Sequence, residues 1–293
     1  MSTFTPPRSV DIQQCRCAEQ IIQPSWYYLC TIFQRKPAVE SGKVGIMVVK
    51  KPADIAGLRR ASSETALLLR ELALLVQPGV TTGALDAHAA AYLERLGAEP
   101  VFRTEAGFPG CINTSVNDVV LHGVPGGQAL RQGDIISIDA GMRLDGYCGD
   151  ANITVPVGAI SGRRQRLIDT TRGAMEAGIA AAITGRRVGD ISHAMQRYGE
   201  QRGFNLIRGF SGHGLGHRMH EEPSVPFVGR AGTGPLLKEG LVITIEPILV
   251  EGSSRVAYDA DGWSVRTVDG GWAAQFEHTI VVTRSGGMIL TEA

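Results

Sequence analysis

Three histidines and two glutamates sit among four glycines in one run, Gly209-Phe210-Ser211-Gly212-His213-Gly214-Leu215-Gly216-His217-Arg218-Met219-His220-Glu221-Glu222-Pro223. Glycine at that density costs backbone entropy and supplies no packing, so the run reads as a loop and not as an amphipathic helix or alternating strand. Such a loop lets the backbone approach a ligand while the imidazoles point at it; taken alone it is equally a flexible Gly-rich connection. Acidic residues at the ends of otherwise apolar segments change the balance. Asp139 follows Ile135-Ile136-Ser137-Ile138, and Asp145-Gly146 is a hairpin-turn dipeptide leading back through Asp150 to Ala151–Val155. With a two-residue loop, Leu144 faces Tyr147, Asp139 faces Asn152, and Asp150 lies diagonally from Asp139 on the same face, roughly 7–8 Å away or less. Two buried carboxylates repel one another and lose hydration, which a cation, a shared proton, or the placing of one aspartate in a turn would relieve.

Two glutamates repeat the pattern. Glu246 ends Leu241–Ile245, and Glu277 precedes His278–Val282. Strand glutamates usually face solvent. Four such carboxylates with one glycine-flanked imidazole, however, offer ligands enough for two divalent cations roughly 3.5–4 Å apart, as in two-metal hydrolases. Ions so placed acidify a shared water and clamp a carbonyl under attack.

The elements that must position these groups are legible in outline. From Asp54 an apolar stripe (Ile55, Leu58, Ala61, Ala66, Leu69, Leu72, Ala73, Val76) predicts a helix ended by Gln77-Pro78-Gly79. A second helix is predicted from an N-cap at Thr82 to Leu96, closed by Gly97. A strand from Cys111 to Val120, a hairpin over 133–157, and a helix from Ser161 to Ile183 follow, then a helix capped by Asp190 and running to Gly203. Strands over 241–245, near 263–268 and over 276–282 complete the chain. Two helices then strands, followed by two helices then strands, predict an α+β domain with internal pseudo-two-fold symmetry, helices packed on a curved antiparallel sheet.

Composition narrows the classes. The 293 residues are 43% hydrophobic and 20% charged with zero formal net charge, an ordinary globular composition without an electrostatic case for nucleic acid or an anionic membrane. No apolar run approaches the ~18 residues of a membrane span, and no signal-peptide pattern opens the chain. Five irregularly spaced cysteines suggest free thiols and a reducing compartment, with the cytoplasm as the expected location. Residues 1–46 lack periodicity and read as a flexible extension ahead of a catalytic domain over 47–293, with Met47 an alternative start. Cys15, Cys17 and Cys30 there do not have zinc-module spacing.

Five short motifs, in order, carry a family likeness: His122-Gly123-Val124-Pro125; Asp139 with Gly149-Asp150; Gly212-His213-Gly214-Leu215-Gly216 with His220-Glu221-Glu222-Pro223; Thr244-Ile245-Glu246-Pro247; and Gln275-Phe276-Glu277-His278-Thr279. From about Pro52 onward the chain resembles the type I methionine aminopeptidases, of the pita-bread fold. The resemblance implies five metal ligands, Asp139, Asp150, His213, Glu246 and Glu277, with Asp150 and Glu277 bridging two divalent ions (Co, Mn, Fe, Ni or Zn) and Glu246 serving also as acid/base. It implies substrate contacts from His122 and His220, and a methionine pocket lined by Phe108, Met219 and Trp263, for which core packing is the alternative. The implied reaction is removal of the initiator methionine from nascent proteins and peptides, with a small second residue preferred. The expected partners are nascent polypeptide and conceivably the ribosome, with no DNA and no membrane, and a monomer is the expected state. Departures from the family pattern are Asn113, often cysteine, Glu105, often tyrosine, and Ala151, often a hydroxyl residue. His217 is common instead in proline-specific relatives, so an Xaa-Pro aminopeptidase or prolidase remains the second reading. A catalytically inactive peptide- or ribosome-binding protein of the same fold is the third. His88 and His193, on helices, and His278 are read as structural.

Overall fold

The computed structural model describes residues 45–49 and 51–292. The expected extension as far as residue 44, with Cys15, Cys17 and Cys30, lies outside them. Helix α1 (Pro52–Leu75) begins on a proline whose missing N–H would be unpaired at a helix start anyway, and it buries the expected Leu58, Ala61, Leu69 and Leu72. Helix α2 (Thr82–Leu96) is capped one residue earlier than expected: the Thr81 side chain, not that of Thr82, accepts the Ala84 N–H at 3.2 Å. A short helix α3 (Val101–Thr104) leads to strands β1 (Ile112–Val116) and β2 (Val119–Leu121). The single strand expected over Cys111–Val120 is broken at Asn117. Its backbone is left-handed (φ 56), and its side chain bonds Asp134 and the Ile135 N–H, a conformation asparagine tolerates.

Strands β3 (Ile135–Leu144) and β4 (Tyr147–Pro156) form the expected hairpin. Asp145 (φ 50) and Gly146 (φ 80) make the type I′ turn that sets its register, with Asp139 opposite Asn152. Helix α4 (Gly162–Ala181) is capped by Ser161. Helix α5 (Val188–Glu200) starts after Arg187, and Asp190 is its third residue instead of its cap, accepting the Arg187 N–H at 2.8 Å. The remaining strands are β5 (Asn205–Leu206), β6 (Ser211–Gly214), β7 (Glu221–Pro226), β8 (Val242–Ile245), β9 (Ile248–Val250), β10 (Val256–Tyr258), β11 (Val265–Thr267), β12 (Ala273–Gln275), β13 (Glu277–Val282) and β14 (Gly287–Ile289).

The main curved sheet is antiparallel in the order β1-β3-β4-β13-β8-β6-β7, with β14 also on β13; two small sheets, β10-β11-β2 and β12-β9-β5, flank it. Each half carries one helix pair. Leu69, Leu72, Leu85 and Leu93 of α1 and α2 pack on Ile112, Ile136, Ile138 and Met142. Leu167, Met175, Ile191 and Met195 of α4 and α5 pack on Ile243, Ile245 and Ile280. This is the pita-bread architecture, and the two halves repeat the expected helix-then-strand order. Among the described residues no helix is long and apolar enough to cross a membrane.

Candidate active site

Sheet order brings distant carboxylates together. Asn152 on β4 is the cross-strand partner of Asp139 on β3 and of Glu277 on β13, so these three side chains form a row across adjacent strands. Asp150 stands two residues along β4 on the same face. The histidine run, expected as a loop, is one only over 215–220; its ends pair as β6 and β7, because Gly214 lies beside Ile243 of the buried β8 and a Cβ there would stand 2.1 Å from the Glu222 carbonyl oxygen. That pairing delivers His213 to the row: its Nε2 lies 3.5 Å from Asp150 Oδ2 and 3.7 Å from Glu246 Oε1. Ligand atoms of Asp150, His213 and Glu277 lie within 4.8 Å of one another.

Neighbouring polar groups aim these side chains. His213 Nδ1 lies 2.9 Å from the Gly214 carbonyl, which can only accept, so Nδ1 holds the proton and Nε2 presents a lone pair inward. Thr244 Oγ1 accepts the His213 N–H at 3.0 Å and donates to Glu246 Oε1 at 2.7 Å. Gln275 Nε2 donates to Glu246 Oε2 at 3.4 Å, and Asn152 donates to Gln275 Oε1 at 3.1 Å. Asn113, the cross-strand partner of Asp139, donates to its Oδ2 at 3.2 Å. Sequence reasoning gave Thr244, Gln275 and Asn152 no part in the site. The available signal was spacing, since each lies two positions from an assigned carboxylate.

The electrostatics fit a cation. Asp139 Oδ1, Asp150 Oδ1 and Glu277 Oε1 are buried oxygens without a hydrogen-bond partner, a costly state unless something positive binds them. Burial, and then the charge of Asp150 and Glu246, push Asp139 well above the usual carboxylate range, and burial with Asp150, Glu246 and Asp139 does the same to Glu277. Burial raises Glu246 to about 7 against the pull of His213 and Thr244. His213 is lowered by burial but raised more by Asp150, Glu246 and the Gly214 carbonyl, and ends above its ordinary value. Oxygens in excess with one imidazole suit a borderline or hard divalent ion.

These shifts have a signed consequence for the metal-free chain. Asp139, Glu246 and Glu277 hold protons more tightly folded than unfolded, so the stability they contribute is complete below their ordinary values and is lost as pH rises through the folded ones, about 7 for Glu246. Burial holds His122 and His278 at about 4, and the stability they contribute is lost as pH falls from 6.5. The two sets oppose each other below pH 6.5. Above it the carboxylates and His213 titrate unopposed, and chelated protein is expected to lose up to about 1.4 kcal/mol per pH unit per titrating group. Divalent ions replace those protons and cancel the loss. Thermal melts at pH 6.5 and 8.5 check this; a chelated form with the same midpoint at both pH values contradicts it.

The two other histidines of interest flank the carboxylates. His122 has a left-handed backbone (φ 54). Gly123 makes that turn possible, because a Cβ there would stand 2.2 Å from the Thr114 carbonyl oxygen. The His220 ring lies 4.4 Å from that of His213, and desolvation in the cleft, with His213 and His122 nearby, keeps its pKa well below the ordinary value. Phe108, Met219 and Trp263 meet in one apolar cluster, with Phe108 edge-on to Trp263 at 5.3 Å. His217 is turned elsewhere: its Nδ1 lies 2.7 Å from the Gly146 carbonyl and its ring tilts on Tyr147 at 4.6 Å. His88 bonds Glu71, His193 is exposed, and His278 bonds Thr291.

With this geometry in hand, the chain can be set beside known proteins. The metallopeptidase family M24 matches residues 56–284. Methionine aminopeptidase 1 of Bacillus subtilis (strain 168) is 42% identical over 246 residues, 84% of this chain and 99% of the relative. The crystal structure of a Thermotoga maritima methionine aminopeptidase superposes with a TM-score of 0.82 at 38% identity, covering 84% of this chain and all of that one. An Xaa-Pro dipeptidase from Bacillus anthracis superposes at 0.68 with 21% identity, covering 84% of this chain and 62% of that one, a likeness of fold alone.

Proposed function

This chain belongs to metallopeptidase family M24 and, within it, to the type I methionine aminopeptidases, and on that premise we propose how its residues divide the work. It is a metal-dependent aminopeptidase that removes N-terminal methionine, and the proline-specific reading falls away. Asp139, Asp150, His213, Glu246 and Glu277 would hold two divalent ions. The carrying observation is the gathering of ligand atoms of Asp150, His213 and Glu277 within 4.8 Å of one another, beside buried carboxylate oxygens of Asp139, Asp150 and Glu277 that have no hydrogen-bond partner. Bound ions supply Lewis-acid polarisation of the scissile carbonyl and acidify water at neutral pH. Glu246 takes the proton of the attacking water on a carboxylate oxygen and returns it to the departing amine. His122 and His220, kept neutral, turn N–H groups toward the carbonyl where negative charge develops. Phe108, Met219 and Trp263 exclude water around the methionine thioether, which gains from burial and aromatic contact.

In this reading the catalytic domain is 47–293, preceded by an extension of residues 1–46. It works as a cytoplasmic monomer on nascent chains with a small second residue, near the ribosome. A peptide panel after chelation and re-addition of Mn, Fe, Co, Ni or Zn tests the whole. Met-Ala peptides are expected to be cleaved, and Met-Lys and Xaa-Pro peptides hardly at all. Equal cleavage of an Xaa-Pro peptide defeats the substrate assignment, and full turnover after chelation defeats the metal assignment.

A further inference from the structure

The turn between β6 and β7, residues 215–220, carries both Met219 and His220, and one ion pair grips it from outside. Arg143, near the end of β3, donates from Nε to the His217 carbonyl at 3.2 Å. Its Nη1 donates to Glu99 Oε2 at 2.6 Å and its Nη2 pairs with Glu105 Oε1. The other oxygen of Glu105 accepts the Met219 N–H at 3.3 Å. Two backbone groups of the turn, two residues apart and of opposite polarity, are therefore held by the two charges of one pair. A planar guanidinium suits this three-way role better than an ammonium, because its donors leave at set angles. Both partners are largely shielded, with 23% and 28% of their side chains exposed, so the pair is less screened than one on open surface.

The same pair joins the two sides of the methionine pocket. Glu105 lies three residues before Phe108, and Met219 packs with Phe108 and Trp263 in one cluster. Beneath them Arg143 anchors Glu99 through reciprocal backbone bonds of 2.8 and 3.0 Å. We propose that Arg143 and Glu105 are positioning residues that set the spacing between the Phe108 and Met219 walls, and so determine how well this chain distinguishes methionine from other apolar N-terminal residues. The inference rests on the methionine aminopeptidase reading and adds to it a device at a position, Glu105, where the family often has tyrosine.

Steady-state kinetics with Met-Ala and Leu-Ala peptides test it. Glu105→Ala is expected to raise KM for Met-Ala about tenfold, the size of a lost charge-assisted hydrogen bond, with kcat within about twofold. The preference for Met-Ala over Leu-Ala falls by a similar factor. Glu105→Gln keeps an oxygen for the Met219 N–H and recovers most of the loss, whereas Arg143→Met does not. Calorimetric uptake of Mn by Glu105→Ala stays at the wild-type value. Unchanged KM and preference in Glu105→Ala, or a fall in kcat instead of a rise in KM, overturns the proposal; should Arg143→Met fail to fold, the Glu105 pair decides. A wild-type chain that does not cleave Met-Ala removes the underlying reading and the inference with it. Wild-type cleavage with unmoved variants overturns the inference alone.

Discussion

Asp150→Asn is expected to lower kcat/KM for a Met-Ala peptide by roughly 10³-fold or more, together with the loss of divalent-ion uptake. Asparagine has nearly the same shape, so the strand should survive the change. The Asp150 backbone is tied to Thr279 by two contacts, 2.7 Å from Thr279 Oγ1 to the carbonyl and 3.3 Å from the N–H to Oγ1, and neither involves the side chain. What changes is charge and donor type. Asp150 Oδ2 lies 3.5 Å from His213 Nε2 while Oδ1 has no partner, so both oxygens are available to a cation. An amide offers one neutral oxygen and turns an N–H toward the ion or the imidazole. The substitution also removes a charge that raises Asp139 and Glu277, so the metal-free variant is expected to be no less stable than the metal-free wild type at pH 8. Turnover and calorimetric ion uptake are read together with a thermal melt. A folded variant that keeps both turnover and ion uptake would refute Asp150 as a ligand.

Glu246→Gln is expected to lower kcat by about 10²- to 10⁴-fold, the usual worth of a positioned acid/base, with a much smaller change in KM. Thr244 donates to Oε1 and Gln275 to Oε2, so both carboxylate oxygens are already oriented without a cation. Glutamine can keep the Thr244 hydrogen bond but cannot carry the proton from water to leaving amine. Burial lifts Glu246 to about 7 in the metal-free chain; a cation beside it would favour the carboxylate, the form that accepts a proton from water. A variant within tenfold of wild-type kcat at saturating divalent ion would assign the proton transfer to another group. Measuring the rate at several ion concentrations separates lost proton transfer, which excess ion does not repair, from weakened ion binding, which it does.

Much of the site was legible because its first pieces are local. The Asp145-Gly146 turn is read from two residues, and once its type is known the facing of Asp139 and Asn152 follows from counting. Glu246 and Glu277 stood out as charges at the ends of apolar runs. The histidine run is a loop over 215–220, as its glycine content predicts, but that local measure misses the strands at its two ends. Pairing with Ile243 makes Ser211–Gly214 a strand, and no local measure sees that neighbour. The misplaced caps at Thr82 and Asp190 have a different origin. Adjacent hydroxyls compete at the first helix, and at the second an aspartate at the third helical position bonds back to the N-cap N–H as a capping-box acid does.

The sequence by itself determined the helix-then-strand order and the hairpin that aligns Asp139 with Asp150, and it singled out Glu246, Glu277 and a glycine-flanked histidine as chemically odd for their places. Those features rest on turn chemistry, periodicity and residue type, all of which act over a few residues. The family likeness already pointed to His213, but only the tertiary structure shows what turns it toward the carboxylates and His217 away from them. His213 has glycine on both sides and His217 on one, four positions along; the first is drawn to the row on β3, β4 and β13, while the second bonds Gly146, 71 positions away. Burial and charge pairing between distant segments made that choice, and they arise only when the strands are stacked.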